Sequence, residues 1–205
     1  MTILKMKKGK FFVIEGLDGS GKSAQVNLLV NFLKNLGKEV MVTKEPTTDS
    51  ESGRKIKQVL KKEVIPKDPL ELQKLYVQDR KEHLTNKVIP ALNEEKFVVS
   101  SRYYFSTFAY GGADGLDLDY LIELNKDFLK PDITFIINVS PESCIKRIKQ
   151  RGEEKEYFEE LEKLTKIGIF YKKFPAIFED VLLIDGEKPI SEVFEEIKKK
   201  INKFL

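Results

Sequence analysis

The octapeptide Gly16-Leu17-Asp18-Gly19-Ser20-Gly21-Lys22-Ser23 constrains this chain more than any other feature, because it fits G-x-x-x-x-G-K-[ST] without a mismatch. It stands between a short apolar run, Phe11 to Ile14, that reads as a buried strand and an amphipathic stretch, Ser23 to Leu36, that reads as a helix. That context is what the chemistry requires. Glycines let successive backbone N–H groups turn inward around phosphate oxygens, and the start of the helix adds its partial positive charge. Gly16, Asp18, Gly19, Ser20, Gly21, Lys22, Ser23 and Gln25 form the expected ATP-binding set. Lys22 is expected to reach the β- and γ-phosphates, and the Ser23 hydroxyl to ligate Mg²⁺. Such a P-loop is shared by GTPases, motor ATPases and small-molecule kinases, so it does not by itself choose among them.

Further along, short β-rich runs alternate with helical patterns. Strands are expected at Glu39 to Thr43, Phe97 to Ser100, Ile133 to Ile137 and Val181 to Ile184. Helices are expected over Lys55 to Lys62, Leu70 to Asn93, Ser140 to about Arg151, and Ser191 to Phe204. Ser140-Pro141 supplies an N-cap and a first-turn proline. Apolar strands separated by helices imply an α/β fold: one P-loop domain over 1–205, with a five-stranded parallel sheet covered by helices on both faces. No linker or repeat divides the 205 residues.

Composition excludes several chemistries. The single cysteine, Cys144, rules out an intramolecular disulfide framework and a Cys-cluster zinc site. With His83 the only histidine, no multi-histidine metal site or His-paired nucleophile can be assembled. His83 reads as a solvated or hydrogen-bonded helical residue, Cys144 as a small hydrophobe, and Lys198 to Lys200 as a solvated last turn. No apolar run approaches the roughly 18 residues of a spanning helix, and a cytoplasmic setting is the default expectation. Lys+Arg 36 against Asp+Glu 33 leaves a net charge of +3, too small to argue for nucleic acid. Only five of the 36 basic residues are arginines: Arg54, Arg80, Arg102, Arg147 and Arg151.

Beyond the P-loop the chain carries Thr43-Lys44-Glu45-Pro46, Tyr76-Val77-Gln78-Asp79-Arg80 and Ser101-Arg102-Tyr103-Tyr104-Phe105-Ser106, then Ala109-Tyr110-Gly111-Gly112 and Lys130-Pro131-Asp132. In this order and spacing the set resembles the thymidylate kinase family, from about Gly9 to the final helix. The resemblance implies an Mg²⁺-dependent transfer of the ATP γ-phosphate to dTMP, in a homodimer, with neither nucleic acid nor membrane as a partner. It places Tyr76 as the ring that stacks on thymine, Arg80 at the base and Arg102 on the dTMP phosphate. Asp18 falls where the sugar 3′-OH is accepted, Tyr110 against the 2′ position, and Ser106 near the base. Glu45 and Pro46 belong to the same acceptor site. For a further phosphate contact the alignment offers Arg54 or Lys57, with Arg54 slightly preferred.

The same resemblance makes 147–160 a flexible lid. Arg147, Lys149 and Arg151 are expected to swing over the transferring phosphate, with Arg147 and Arg151 joining Lys22 and Arg102 as the catalytic group. Two departures bear on rate. Ser101 stands where the family has an acid that helps hold Mg²⁺ through water, and Tyr157 stands where its lid has an arginine. Glu159 or Glu45 is expected to compensate, and the reading is an active but slow kinase. Two alternatives stay open at this level: a related kinase with another acceptor such as dUMP, and a weakly active nucleotide-binding regulator.

Overall fold

The computed structural model describes residues 9–150 and 161–205. Its elements run β1 (Phe11–Gly16), α1 (Lys22–Asn35), β2 (Val40–Lys44), α2 (Glu51–Leu60) and α3 (Pro69–His83). A π-helical turn (Leu84–Val88) leads into α4 (Ile89–Asn93), followed by β3 (Phe97–Ser101), α5 (Tyr104–Ala113) and α6 (Leu118–Asn125). The chain continues with β4 (Ile133–Asn138), α7 (Pro141–Gln150), α8 (Leu161–Ile177), β5 (Val181–Asp185) and α9 (Ile190–Ile201).

All five strands are parallel, in the order β2-β3-β1-β4-β5. β1 is central, and every one of its residues is buried, which requires cover on both faces. α1 packs on β1, β3 and α9, while α5 and α8 pack on each other and reach β1, β4 and β5. Because β1 is flanked by β3 and β4, the strand order reverses beside it. The crevice beyond the carboxyl ends of β1 and β3 is therefore where an open α/β sheet receives a ligand.

The long helical pattern from Leu70 to Asn93 is broken rather than continuous. Pro90 has no N–H for the carbonyl four residues back, and its ring crowds that carbonyl. The turn before it widens instead, with Ile89 N–H reaching the Leu84 carbonyl. Three helices, α5, α6 and α8, fall outside the sequence expectation. α5 is apolar around most of its circumference, so it shows no amphipathic period to read. A wall of phenylalanines fixes it to α8: the Phe105 and Phe174 rings lie 5.6 Å apart, and Phe108 stacks on Phe178 at 5.9 Å. Gly112 permits the close crossing, since a Cβ there would stand 2.6 Å from the Phe170 ring.

Candidate active site

The loop from Gly16 to Ser23 closes off β1 and opens α1. At Gly19, φ is 82° and a Cβ would come within 2.5 Å of the Cys144 carbonyl, so only glycine lets α7 seat against the loop. Cys144 is buried beneath it, with burial pushing its thiol up to about 11. Lys22 folds back over the loop and donates to the carbonyls of Gly16 (3.1 Å) and Leu17 (2.7 Å), with Asp18 3.6 Å away. Burial, reinforced by Arg102, pushes its ammonium down to about 8, against the pull of Asp18 and Glu15. A charged Lys22 is what a polyphosphate needs. kcat/KM for ATP, which reports the free enzyme, is therefore expected to fall as pH rises through about 8. A profile flat between pH 7 and 9 would contradict that assignment.

The loop lines a cleft of about 1690 Å³. Ser20, Ser23 and Gln25 line it from the loop and α1, and Arg102 and Ser101 from the end of β3. Gln25 is buried and donates to the Ile190 carbonyl at 3.0 Å, tying α1 to the start of α9. The far wall is Gly186 to Ile190, a segment the sequence reading did not single out. Arg147 comes to this wall from α7, donating to the Gly186 carbonyl at 3.3 Å with Glu187 at 3.7 Å. Lys44, also missed, lines the cleft from the end of β2. Arg151, Tyr157 and Glu159, with most of the expected lid, lie outside the described residues.

A second, smaller cavity of about 70 Å³ adjoins the cleft, and Asp18 and Arg102 line both. The Arg102 guanidinium donates to Asp18 Oδ1 (2.5 Å), to the Tyr110 hydroxyl (3.1 Å) and to Ser106 Oγ (2.9 Å). It also lies 5.2 Å from the centre of the Tyr110 ring. Opposing burial, the charges of Arg102 and Lys22 hold the Asp18 carboxyl well below the usual carboxylate range. The Arg102 backbone sits at φ 70°, a left-handed conformation that costs a non-glycine residue about 1–2 kcal/mol. That turn redirects the chain from β3 and delivers the side chain to the P-loop.

Glu15, the last acid of the β1 run, supports this arrangement from below. It is fully buried and accepts from Tyr103 N–H (2.7 Å), Ser106 N–H (3.1 Å), Ser106 Oγ (2.8 Å) and Tyr171 Oη (2.9 Å). Burial raises its pKa, opposed first by Arg102 and then by these hydrogen bonds. The signal in the sequence was an acid ending an otherwise apolar strand, Phe11-Phe12-Val13-Ile14-Glu15.

The wall opposite is a second polar network. Arg80 is fully buried and donates to Glu45 Oε2 (2.8 Å), Asn125 Oδ1 (2.6 Å) and Thr107 Oγ1 (3.2 Å). His83 bridges Glu45 Oε1 (3.1 Å) and Thr43 Oγ1 (2.6 Å), so the helical histidine is a buried brace. Both Glu45 oxygens are thus occupied. In this arrangement the carboxylate serves to fix Arg80 and His83. Glu45 and Pro46 line the small cavity, joined by a cis peptide, together with Tyr76, Arg80 and Ser106. Asp79, also buried, accepts from Thr47 N–H (2.8 Å), Thr47 Oγ1 (2.5 Å) and Ser50 Oγ (2.5 Å). Thr47 and Ser50 thereby tie the segment after Pro46 to α3. Arg54 and Lys57 are not brought into either cavity. Both are exposed on α2, and Arg54 donates to the Asp49 carbonyl at 2.8 Å. α2 presents Leu60 and Lys61 to the cleft instead, because Gly53, Ile56 and Val59 carry its buried face.

A P-loop cleft thus adjoins a smaller side cavity, and Asp18, Glu45, Leu60 and Arg102 line both. The model of the family described as thymidylate kinase matches residues 14–197. The chain belongs to the thymidylate kinase family. The thymidylate kinase of Caldicellulosiruptor saccharolyticus is 36% identical over 203 residues, covering 97% of this chain and 98% of its own. That of Leptospira interrogans is 36% identical over 196 residues, 94% of either chain, and that of Brachyspira hyodysenteriae is 38% identical over 164 residues, 77% and 79%.

Proposed function

We propose that this protein transfers the γ-phosphate of ATP to dTMP, giving dTDP and ADP. One observation carries the reading: Arg102 stands between the phosphate-loop cleft and the small cavity and lines both. A planar guanidinium there can grip the acceptor phosphate through two N–H groups and hold it in line with the donor. The Tyr76 ring offers the base a stacking face, a contact worth about 1–3 kcal/mol. Asp18 offers an acceptor for a sugar hydroxyl once Arg102 turns to the phosphate, and Tyr110 crowds the sugar from below.

Phosphoryl transfer needs positive charge on the moving group more than it needs a base. Lys22 supplies it from the phosphate loop, Arg102 once turned from Asp18, and Arg147 from the cleft wall, with Arg151 a further candidate. Among the described residues no group of three or more His, Cys, Asp or Glu side chains is placed to hold a metal ion. Mg²⁺ keeps its waters and binds through substrate phosphates with few protein ligands, so it would arrive on the nucleotide. Ser23 is the residue to hold it, and when bound the ion neutralises charge on the phosphate oxygens. We place the reaction in the cytoplasm and the active form in a homodimer. No described helix is long and apolar enough to cross a membrane.

ADP formation from ATP and Mg²⁺, measured with dTMP, dUMP, dCMP and the ribonucleotide UMP in turn, tests the proposal. dTMP should give the highest kcat/KM and UMP the lowest among the uracil and thymine acceptors. Faster turnover of UMP than dTMP, or binding of dTMP without formation of dTDP, would overturn it.

A further inference from the structure

Gln73 stands apart from the other buried polar side chains. It lies on α3 one turn before Tyr76 and is 1% exposed, yet neither its amide oxygen nor its amide nitrogen has a hydrogen-bond partner among the described residues. Buried polar groups are nearly always paired, and an unmatched amide costs stability that leucine or methionine at the same place would not. The side chain lines the small cavity beside Tyr76 and Arg80. α5 fixes its stem, since a Cβ at Gly111 would come 3.3 Å from Gln73 Cγ. Acceptors are otherwise scarce on that wall: Asp18 faces Arg102, both Glu45 oxygens are taken, and Thr107 Oγ1 already accepts from Arg80. Arg80 supplies donors, and arginine can supply nothing else.

We propose that Gln73 reads the hydrogen-bonding edge of the acceptor base. Its amide oxygen accepts from the ring N–H, and its NH₂ donates to an adjacent ring carbonyl, the paired pattern that the imide of thymine or uracil presents. The assignment rests on the dTMP reading above and adds to it a specificity-determining residue. It also gives the unmatched amide a reason to persist, because the site is complete only when a base occupies it.

The test compares wild type with Gln73→Met, which keeps length and bulk but removes both polar atoms. Dissociation constants for dTMP and for N3-methyl-dTMP are measured by calorimetry, alongside kcat and the Tm of the free protein. Wild type should prefer dTMP over the methylated analogue. Gln73→Met should weaken dTMP about ten- to a hundredfold, abolish that preference, and hold or raise Tm. An unaltered dTMP affinity, or equal losses for the two nucleotides with a lowered Tm, would overturn the assignment. Gln73→Leu is run in parallel, and failure of both variants to fold would also overturn it, since an unmatched amide cannot be what holds the fold. If wild type turns over dTMP while Gln73→Met binds it normally, only this inference fails. If wild type binds no dTMP, the functional reading fails, and this inference with it.

Discussion

Arg102→Ala is expected to lower kcat/KM for dTMP by roughly two to three orders of magnitude, the cost of removing one fixed donor from developing charge in a transition state. The guanidinium links Asp18, Ser106 and Tyr110, so its loss also frees the Asp18 carboxylate to pair with Lys22, 3.6 Å away. That pairing would draw the lysine from the β- and γ-phosphates and weaken ATP binding as well. Arg102→Lys keeps the charge but not the two-pronged grip, and should recover only part of the rate. Stability should move separately from activity. Because residue 102 sits at φ 70°, Arg102→Gly relieves backbone strain and should unfold at higher denaturant than Arg102→Ala while being equally inactive. Steady-state ADP formation at saturating ATP measures the first effect. A variant within tenfold of wild type would remove Arg102 from the phosphate.

Glu45→Ala carries the largest expected loss of stability, about 3–5 kcal/mol, because it leaves Arg80 charged and buried with its carboxylate gone. His83 loses its Nδ1 partner in the same step. The remaining contacts of Arg80, to Asn125 and Thr107, are neutral and do not replace a carboxylate. Glu45→Gln, which retains an acceptor of the same shape, should lose less. Because Arg80 and Glu45 both line the small cavity, the surviving folded fraction should also show a raised KM for dTMP. Urea denaturation of the two variants and wild type checks this, compared through midpoints at a common slope. A loss below about 1 kcal/mol for the alanine variant would mean that Arg80 finds another partner or water.

The site divides into what was legible in the chain and what was not, for definite reasons. The phosphate loop could be read directly, since glycine spacing dictates backbone shape and the loop works through backbone. Arg102 and Tyr76 were legible from the ordered motifs around them. Glu15 and Asp79 stand beside motif residues in the chain, yet their importance depends on partners 88 to 156 residues away for Glu15 and about 30 for Asp79. Arg54 shows the opposite case. Proximity along the chain to a motif position favoured it, whereas the face of α2 on which it falls points to solvent. Likewise α5 escaped notice because a helix buried on most sides carries little amphipathic period, whereas the buried residues of α8, Leu164, Ile167, Tyr171 and Phe174, recur at helical spacing and could have been read.

Local chemistry, then, determined the parallel α/β architecture and the shape of the loop from Gly16 to Ser23, because strand and helix periods and glycine spacing act over a few residues. Which charges meet was decided only by the tertiary structure. It spends Glu45 on Arg80, stands Arg102 between two cavities, and leaves the Gln73 amide unmatched beside Tyr76. The reason is physical: the strength of a buried charge or amide depends on what surrounds it in space. Those surroundings come from strands and helices far apart in the chain.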